Sequence, residues 1–260
     1  MRPELEPLRR RPRESGVFLD FDGTLSEIVP VASDARPVPG ARDVLARLAA
    51  RVAVVAVISG RSAEELLDWL GPAVEIWGVH GAQRAVDGNV VLADALRPFA
   101  ASMANVRDEV ADELERAGVE GAVVEDKVVV VTLHYRAASD PQRAERAVTE
   151  IATAAARRHG LEIVAGRMAV ELRPPVELSK ASVVRERVRG ADLAAAMFVG
   201  DDTVDLPAFD ALDELSSEGV AGVRVGVRSA ESPAELLARA DVVVDGPPGV
   251  LELLGELAAP

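Results

Sequence analysis

Short runs rich in valine and isoleucine recur along the chain and alternate with stretches whose apolar residues fall three and four apart. The spacing predicts strands at Gly16–Asp20, Arg51–Ser59, Val74–Gly78, Ala196–Gly200, Val223–Val227 and Asp241–Val244. Between the first two, "PGARDVLARLAA" has helical spacing, and after the second, "SAEELLDWLG" opens on a Ser62/Glu65 capping box and stops at Gly71. Wholly apolar strands alternating with helices predict a parallel sheet covered on both faces. The expected fold class is therefore α/β, a doubly wound Rossmann-type core whose ligands bind beyond the C-terminal strand ends.

The rhythm changes between about Ala95 and Arg173. A helix at Leu96–Ala117 is followed by strands at Gly121–Glu125 and Val128–Tyr135. A second helix at Pro141–His159 leads to strands at Leu161–Ala165 and Met168–Leu172. "EDK" and "AGR" read as tight hairpin turns. Antiparallel α+β structure inside an α/β core predicts an inserted second domain. The expected division is a flexible tail at 1–15, a core formed by 16–95 and 174–260, and an insert at 96–173.

Composition narrows the function. The chain has 260 residues and 49% apolar residues, enough for a sizeable core, but only 3% aromatics, so Ala, Val and Leu must fill it. A net charge of −14 argues against nucleic acid, which needs a basic face. An anionic substrate would need local positive charge from a few Lys or Arg, or from a metal. The absence of cysteine excludes disulfides, thiolate catalysis and Cys-ligated zinc. The longest wholly apolar run, Val52–Ile58, is far too short to span a membrane, and "MRPELEPLRRRPRESG" lacks the apolar stretch of a secretory signal. A cytoplasmic protein with no membrane or nucleic-acid partner is expected.

Four segments carry candidate chemistry. "FLDFDGT" ends a strand on Asp20 and puts Asp22 in the following turn. Two close carboxylates repel unless a cation or shared proton relieves them, although a loop start with Asx turns would also leave them there. "VISGRSAEE" places Ser59 and the Gly60 amide before a helix N-terminus, which suits either an anion or plain capping. Lys180 opens a helix after a Pro-rich turn. There the macrodipole disfavours a cation, so an anionic partner is expected unless the side chain is simply solvated. "FVGDDTVD" clusters Asp201, Asp202 and Asp205 after another buried strand, and a metal between the two strand ends would answer both acidic groups.

In this order and spacing, "DFDGT", "SGR", Lys180 and "GDDTVD" resemble the four motifs of the haloacid dehalogenase (HAD) superfamily across the whole core. The resemblance implies a HAD-like core with an inserted cap of the larger C2-type. It implies Asp20 as nucleophile, forming an aspartyl-phosphate, and Asp22 as general acid and base. Ser59, Gly60 and Lys180 would hold the phosphoryl group. Mg²⁺ would bind Asp20, the Asp22 carbonyl and Asp201, with Asp202 or Asp205 as direct or supporting ligand. An acid/base at position 22 favours a phosphatase over a dehalogenase.

Further segments, "FLDFDGTLSEIVP", "WGVHGAQ", "VEDKVVVVTLHYR" and "GRMAVELRPP", resemble the trehalose-6-phosphate phosphatases. By that resemblance Glu125, Lys127 and Glu171 are candidates for sugar hydroxyls, with His80 and Arg136 lining the cleft. Gln83 stands where relatives carry an acid, and Arg36 and Arg61 are candidate supplements to phosphate binding or surface ion-pair partners. The implied activity is Mg²⁺-dependent hydrolysis of trehalose 6-phosphate by a monomer, with a trehalose-phosphate synthase as the implied protein partner. Another sugar phosphate or a glycosyl-phosphoglycerate is the alternative substrate. A non-catalytic regulatory partner of such a synthase is the alternative class.

Overall fold

A computed structural model describes residues 2–29, 31–127 and 129–259. The end of "FLDFDGTLSEIVP" at Pro30 and the expected strand start at Val128 lie outside the described residues. In chain order the elements begin with α1 (Glu6–Arg10), β1 (Ser15–Leu19), α2 (Ala41–Ala49), β2 (Val54–Ile58), α3 (Ala63–Leu70) and β3 (Glu75–Gly78). They continue with β4 (Gln83–Val86), β5 (Asn89–Leu92), α4 (Ala100–Arg116), β6 (Val123–Asp126), β7 (Val131–His134) and α5 (Pro141–His159). Next come β8 (Glu162–Gly166), β9 (Ala169–Arg173), α6 (Lys180–Gly190), β10 (Ala195–Gly200) and α7 (Leu206–Ser217). The chain closes with β11 (Ala221–Arg228), α8 (Ala234–Arg239), β12 (Val242–Asp245) and α9 (Gly246–Ala258). Two compact units form, one from Met1–Val91 and Leu178–Pro260, the other from Leu92–Glu177.

The first unit is built on an eight-stranded sheet ordered β12-β11-β10-β1-β2-β3-β4-β5. β12 through β3 run parallel. Alternate residues of each strand serve opposite faces. Val17, Leu19, Val55, Val57, Met197 and Val199 pack with α2, α3 and α9. Phe18, Val54, Ala56, Ile58, Ala196 and Phe198 pack with α6, α7 and α8. Both faces of each strand need apolar side chains, and this is why the sequence runs there are continuous. Chain direction across the sheet reverses at β1, with β2 on one side and β10 on the other. Register pairs Leu19 with Val57 and with Val199, so the segments after β1, β2 and β10 emerge at one edge. That edge is the topological switch point of the sheet.

Two features of this unit depart from expectation. The N-terminal segment is not a tail free of the core: Leu5 and Leu8 are fully buried in the α2/α9 layer. Arg2 and Arg9 both bond Glu256 of α9, at 3.2 and 3.1 Å. The second departure is β4 and β5, joined by a two-residue turn with Asp87 and Gly88 at positive φ. β4 runs antiparallel to β3 and extends the sheet.

The inserted unit is an antiparallel sheet ordered β6-β7-β9-β8, with α4 and α5 on one face. Val131, Leu133, Val170 and Leu172 meet the helices. Thr132, His134 and Glu171 alternate with them on the other face. Several expected bounds shift. The first helix starts at Ala100, after a 3-10 turn that contains Pro98. The turn after β6 is centred beyond "EDK", since Lys127 N–H donates to the Val130 carbonyl and buried Val129 and Val130 precede β7. β8 and β9 each lie one residue later than expected.

Candidate active site

β1 ends at Leu19, and the Asp20 N–H still donates to Val199 of β10, at 2.9 Å, so the side chain that follows is aimed by the ladder. The chain then turns through Gly23 at φ 78°. A Cβ there would collide with the Asp201 carboxylate, and the left-handed φ also favours glycine, so both constraints demand this residue. On the other side of the switch point β10 ends at Gly200, where a Cβ would strike the Asp205 side chain. These two glycines let the acidic loops close on each other.

Lys180 is the first residue of α6, whose N-cap is a Ser179/Ser182 capping box. Its ammonium is buried and lies 2.7 Å from Asp20 Oδ1 and 2.6 Å from Asp205 Oδ1. The anionic partner expected for a lysine at a helix N-terminus is thus present twice. Asp205 Oδ2 accepts from the N–H groups of Asp201 and Asp202, at 3.0 and 3.2 Å. Both Asp205 oxygens are committed to donors, so this residue braces the site.

Asp20, Asp201 and Asp205 each present an oxygen within 4.8 Å of the others, and all three are buried. Burial pushes the Asp20 carboxyl up to about 7, against the pull of Lys180, with Asp205 adding to the push. Burial likewise pushes Asp201 up to about 8, reinforced by Asp20 and Asp205. Burial pulls the Lys180 ammonium down, but the two neighbouring carboxylates outweigh it and hold the group above the ordinary lysine value. Three carboxylates against one ammonium leave the cluster short of positive charge. Asp201 Oδ1 is also buried without a hydrogen-bond partner. An all-oxygen set with an orphaned acceptor fits a hard divalent cation. Asp202 is not part of this set: it is exposed, and its Oδ1 accepts from the Thr203 N–H at 2.6 Å. A short side chain next to its own helix start is captured locally, as N-caps are.

Ser59 and Gly60 follow β2 at the same edge, and Ser59 Oγ accepts from the Arg61 N–H at 3.2 Å. Of the two expectations for Arg61, the ion pair is present, with Asp22 as its partly exposed partner. Its guanidinium grips both Asp22 oxygens, at 2.8 and 2.7 Å, and lies over the rings of Phe21 and Trp69. Arg36 also lies over Trp69 and donates to the Ser33 and Ala35 carbonyls. His80, with φ 56°, donates its N–H to the Ser59 carbonyl at 2.8 Å, which brings it beside Ser59 and Gly60. Gln83 is buried, and its Oε1 accepts from the Ala63 N–H at 2.8 Å, at the start of α3. An amide meets that need as well as a carboxylate would, so the missing acid does not empty the position.

The remaining candidates belong to the inserted unit. Register aligns Glu125 of β6 with Thr132 of β7 and Glu171 of β9, giving one polar row across the sheet. Lys127 Nζ lies 3.4 Å from Glu125 Oε2. His134 Nε2 lies 2.8 Å from the same oxygen and holds Glu125 below the usual carboxylate value despite partial burial, with help from Lys127. Arg136 is exposed beyond β7. Sequence reading did not single out His134 or Thr132, although both stand in the quoted "VTLHYR", because only the register brings them beside Glu125.

Comparison with known proteins gives these residues a context. The sequence model of the trehalose-phosphatase family matches residues 18–241. A trehalose-phosphate phosphatase of Mycobacterium avium (strain 104) is 37% identical over 80% of this chain and 54% of its own length. That of Mycobacterium leprae (strain TN) is 33% identical over 95% of this chain and 58% of its own. The chain thus spans little more than half the length of these curated relatives. Among solved structures, the C-terminal domain of the C. albicans trehalose-6-phosphate phosphatase superposes with a TM-score of 0.75 at 26% identity, covering 99% of this chain and 97% of that one. The family match takes in the carboxylate cluster, the Ser59–Arg61 turn, Lys180 and the whole inserted sheet, and on that extent the chain belongs to the trehalose-phosphatase family.

Proposed function

We propose that this chain is a Mg²⁺-dependent phosphatase that converts trehalose 6-phosphate to trehalose and inorganic phosphate. One observation supports the reading above the others: Asp20, Asp201 and Lys180 are buried together at the switch point of a core that belongs to the trehalose-phosphatase family. Asp20, Asp201 and the Asp22 carbonyl would hold Mg²⁺, which supplies positive charge against the phosphoryl oxygens. Phosphoryl transfer depends mainly on positioning and charge neutralisation, and this cluster is suited to both.

An Asp20 oxygen attacks phosphorus, and the bond from phosphorus to the sugar oxygen breaks. Asp22 gives its proton to that oxygen, and trehalose leaves. Water then passes a proton to Asp22 and attacks the aspartyl-phosphate. Asp20 departs as a carboxylate and inorganic phosphate is released, so the displacement is divided into two steps. Lys180, Ser59 and Gly60 steady the phosphoryl oxygens, and Arg61 releases one of the two Asp22 oxygens it grips when that carboxyl takes up its proton. Glu125, Lys127 and Glu171 take the sugar hydroxyls, a task for which fixed carboxylates and amines are the right types.

The test is phosphate release from trehalose 6-phosphate against a panel of sugar phosphates, with Mg²⁺ and with chelator. The expected result is a preference for trehalose 6-phosphate, loss of activity with chelator, and a fall of more than about 10³-fold in kcat for Asp20→Asn. Turnover that survives either the chelator or the substitution would refute the mechanism, and a preference for another sugar phosphate would refute the substrate.

A further inference from the structure

Glu125 is held from two sides on a single oxygen. Its Oε2 takes both His134 Nε2 at 2.8 Å and Lys127 Nζ at 3.4 Å. A carboxylate can only accept, so His134 must carry its proton on Nε2 in this pair. The two holders differ in kind. Lys127 stands just past the end of β6, and its flexible four-carbon stem places a charge without fixing a direction. His134 lies on β7, diagonal to Glu125 across the ladder, and has only two side-chain torsions. The rigid partner on the regular element is the one able to set the carboxylate's angle. Beside Glu125 in register, between it and Glu171, Thr132 Oγ1 is buried without a hydrogen-bond partner, so it offers Glu125 no fixing bond of its own.

We propose that His134 is a positioning residue that fixes Glu125 as an acceptor for a sugar hydroxyl, and so sets the preference for a disaccharide monophosphate over small phosphate esters. The proposal rests on the reading above that Glu125 meets the sugar. An acceptor already ordered spares the complex the cost of freezing a mobile glutamate, a cost equivalent to about three- to tenfold in affinity.

The test uses the Mg²⁺-loaded protein with trehalose 6-phosphate and with p-nitrophenyl phosphate, comparing wild type, His134→Ala, His134→Gln, Glu125→Ala and the Ala/Ala double variant. His134→Ala is expected to raise KM for trehalose 6-phosphate about three- to tenfold, with kcat and p-nitrophenyl phosphate hydrolysis unchanged. His134→Gln, whose amide N–H reaches where Nε2 stood, is expected to restore KM. In the Glu125→Ala background the loss of His134 should cost nothing further. Equal losses on both substrates, or an undiminished loss in that background, would overturn the positioning role. So would a Glu125→Ala effect with no His134→Ala effect. If Glu125→Ala itself leaves KM for trehalose 6-phosphate unchanged, the sugar-site reading fails first and His134 has nothing to position. Should His134→Ala not fold, His134→Asn, whose shorter amide falls short of Oε2, replaces it.

Discussion

Asp20, Asp201 and Asp205 are buried within reach of one another with Lys180 as the only cation bound to them among the described residues. Such an arrangement is costly when all three carboxylates are ionised, because the Coulombic return must offset the desolvation of each. Without metal, protons relieve it. The folded-state values of Asp20 and Asp201, about 7 and about 8, lie above the ordinary 3.8. A group raised in this way contributes stability below its unfolded value and loses it as pH rises through the folded one. Metal-free protein should therefore lose stability between about pH 4 and pH 8, more steeply than Asp201→Asn does, and Mg²⁺ should flatten the wild-type slope. Melting temperatures across that range measure it, and equal slopes for the two proteins would contradict the cluster's role. The aspartates themselves were legible in the sequence as two motifs with one electrostatic problem. Which of Asp202 and Asp205 turns inward was not, because that depends on a capping contact to Thr203 and on the space left by Gly200.

Strands buried on both faces announce themselves as unbroken apolar runs, and the central ones fall within a few residues of their expected bounds. Elements stabilised from outside their own pattern were harder to read. The β4–β5 hairpin is half exposed and its signal is only the short "VDGN" turn. The N-terminal segment looks like a Pro- and Arg-rich tail, yet Leu5 and Leu8, three residues apart, plug the α2/α9 layer. Helices this short have no stability of their own, so tertiary burial must hold them. Leu8→Ala should accordingly destabilise the protein by about 3 kcal/mol, read from denaturant midpoints at constant m-value. A change below about 0.5 kcal/mol would mean that the segment is not anchored there.

At the scale of the whole chain, two compact units come from one sequence interrupted once. The acidic excess of the molecule, −14, is compatible with the proposed anionic substrate, because Lys180 and a cation held by the carboxylate cluster would act locally. Arg2 and Arg9 on one side and Glu256 on the other tie the first described residues to the last helix. The first and last helices described are consequently neighbours, and the order in which this segment visits its strands is separable from the fold it makes. A circular permutant of residues 2–259 that joins residue 259 to residue 2 through about six glycine and serine residues, ample reach at ~3.3 Å per residue, and opens between Asp87 and Gly88 should melt in one cooperative transition. An unfolded permutant would show that connectivity, and not only contact, holds the sheet together.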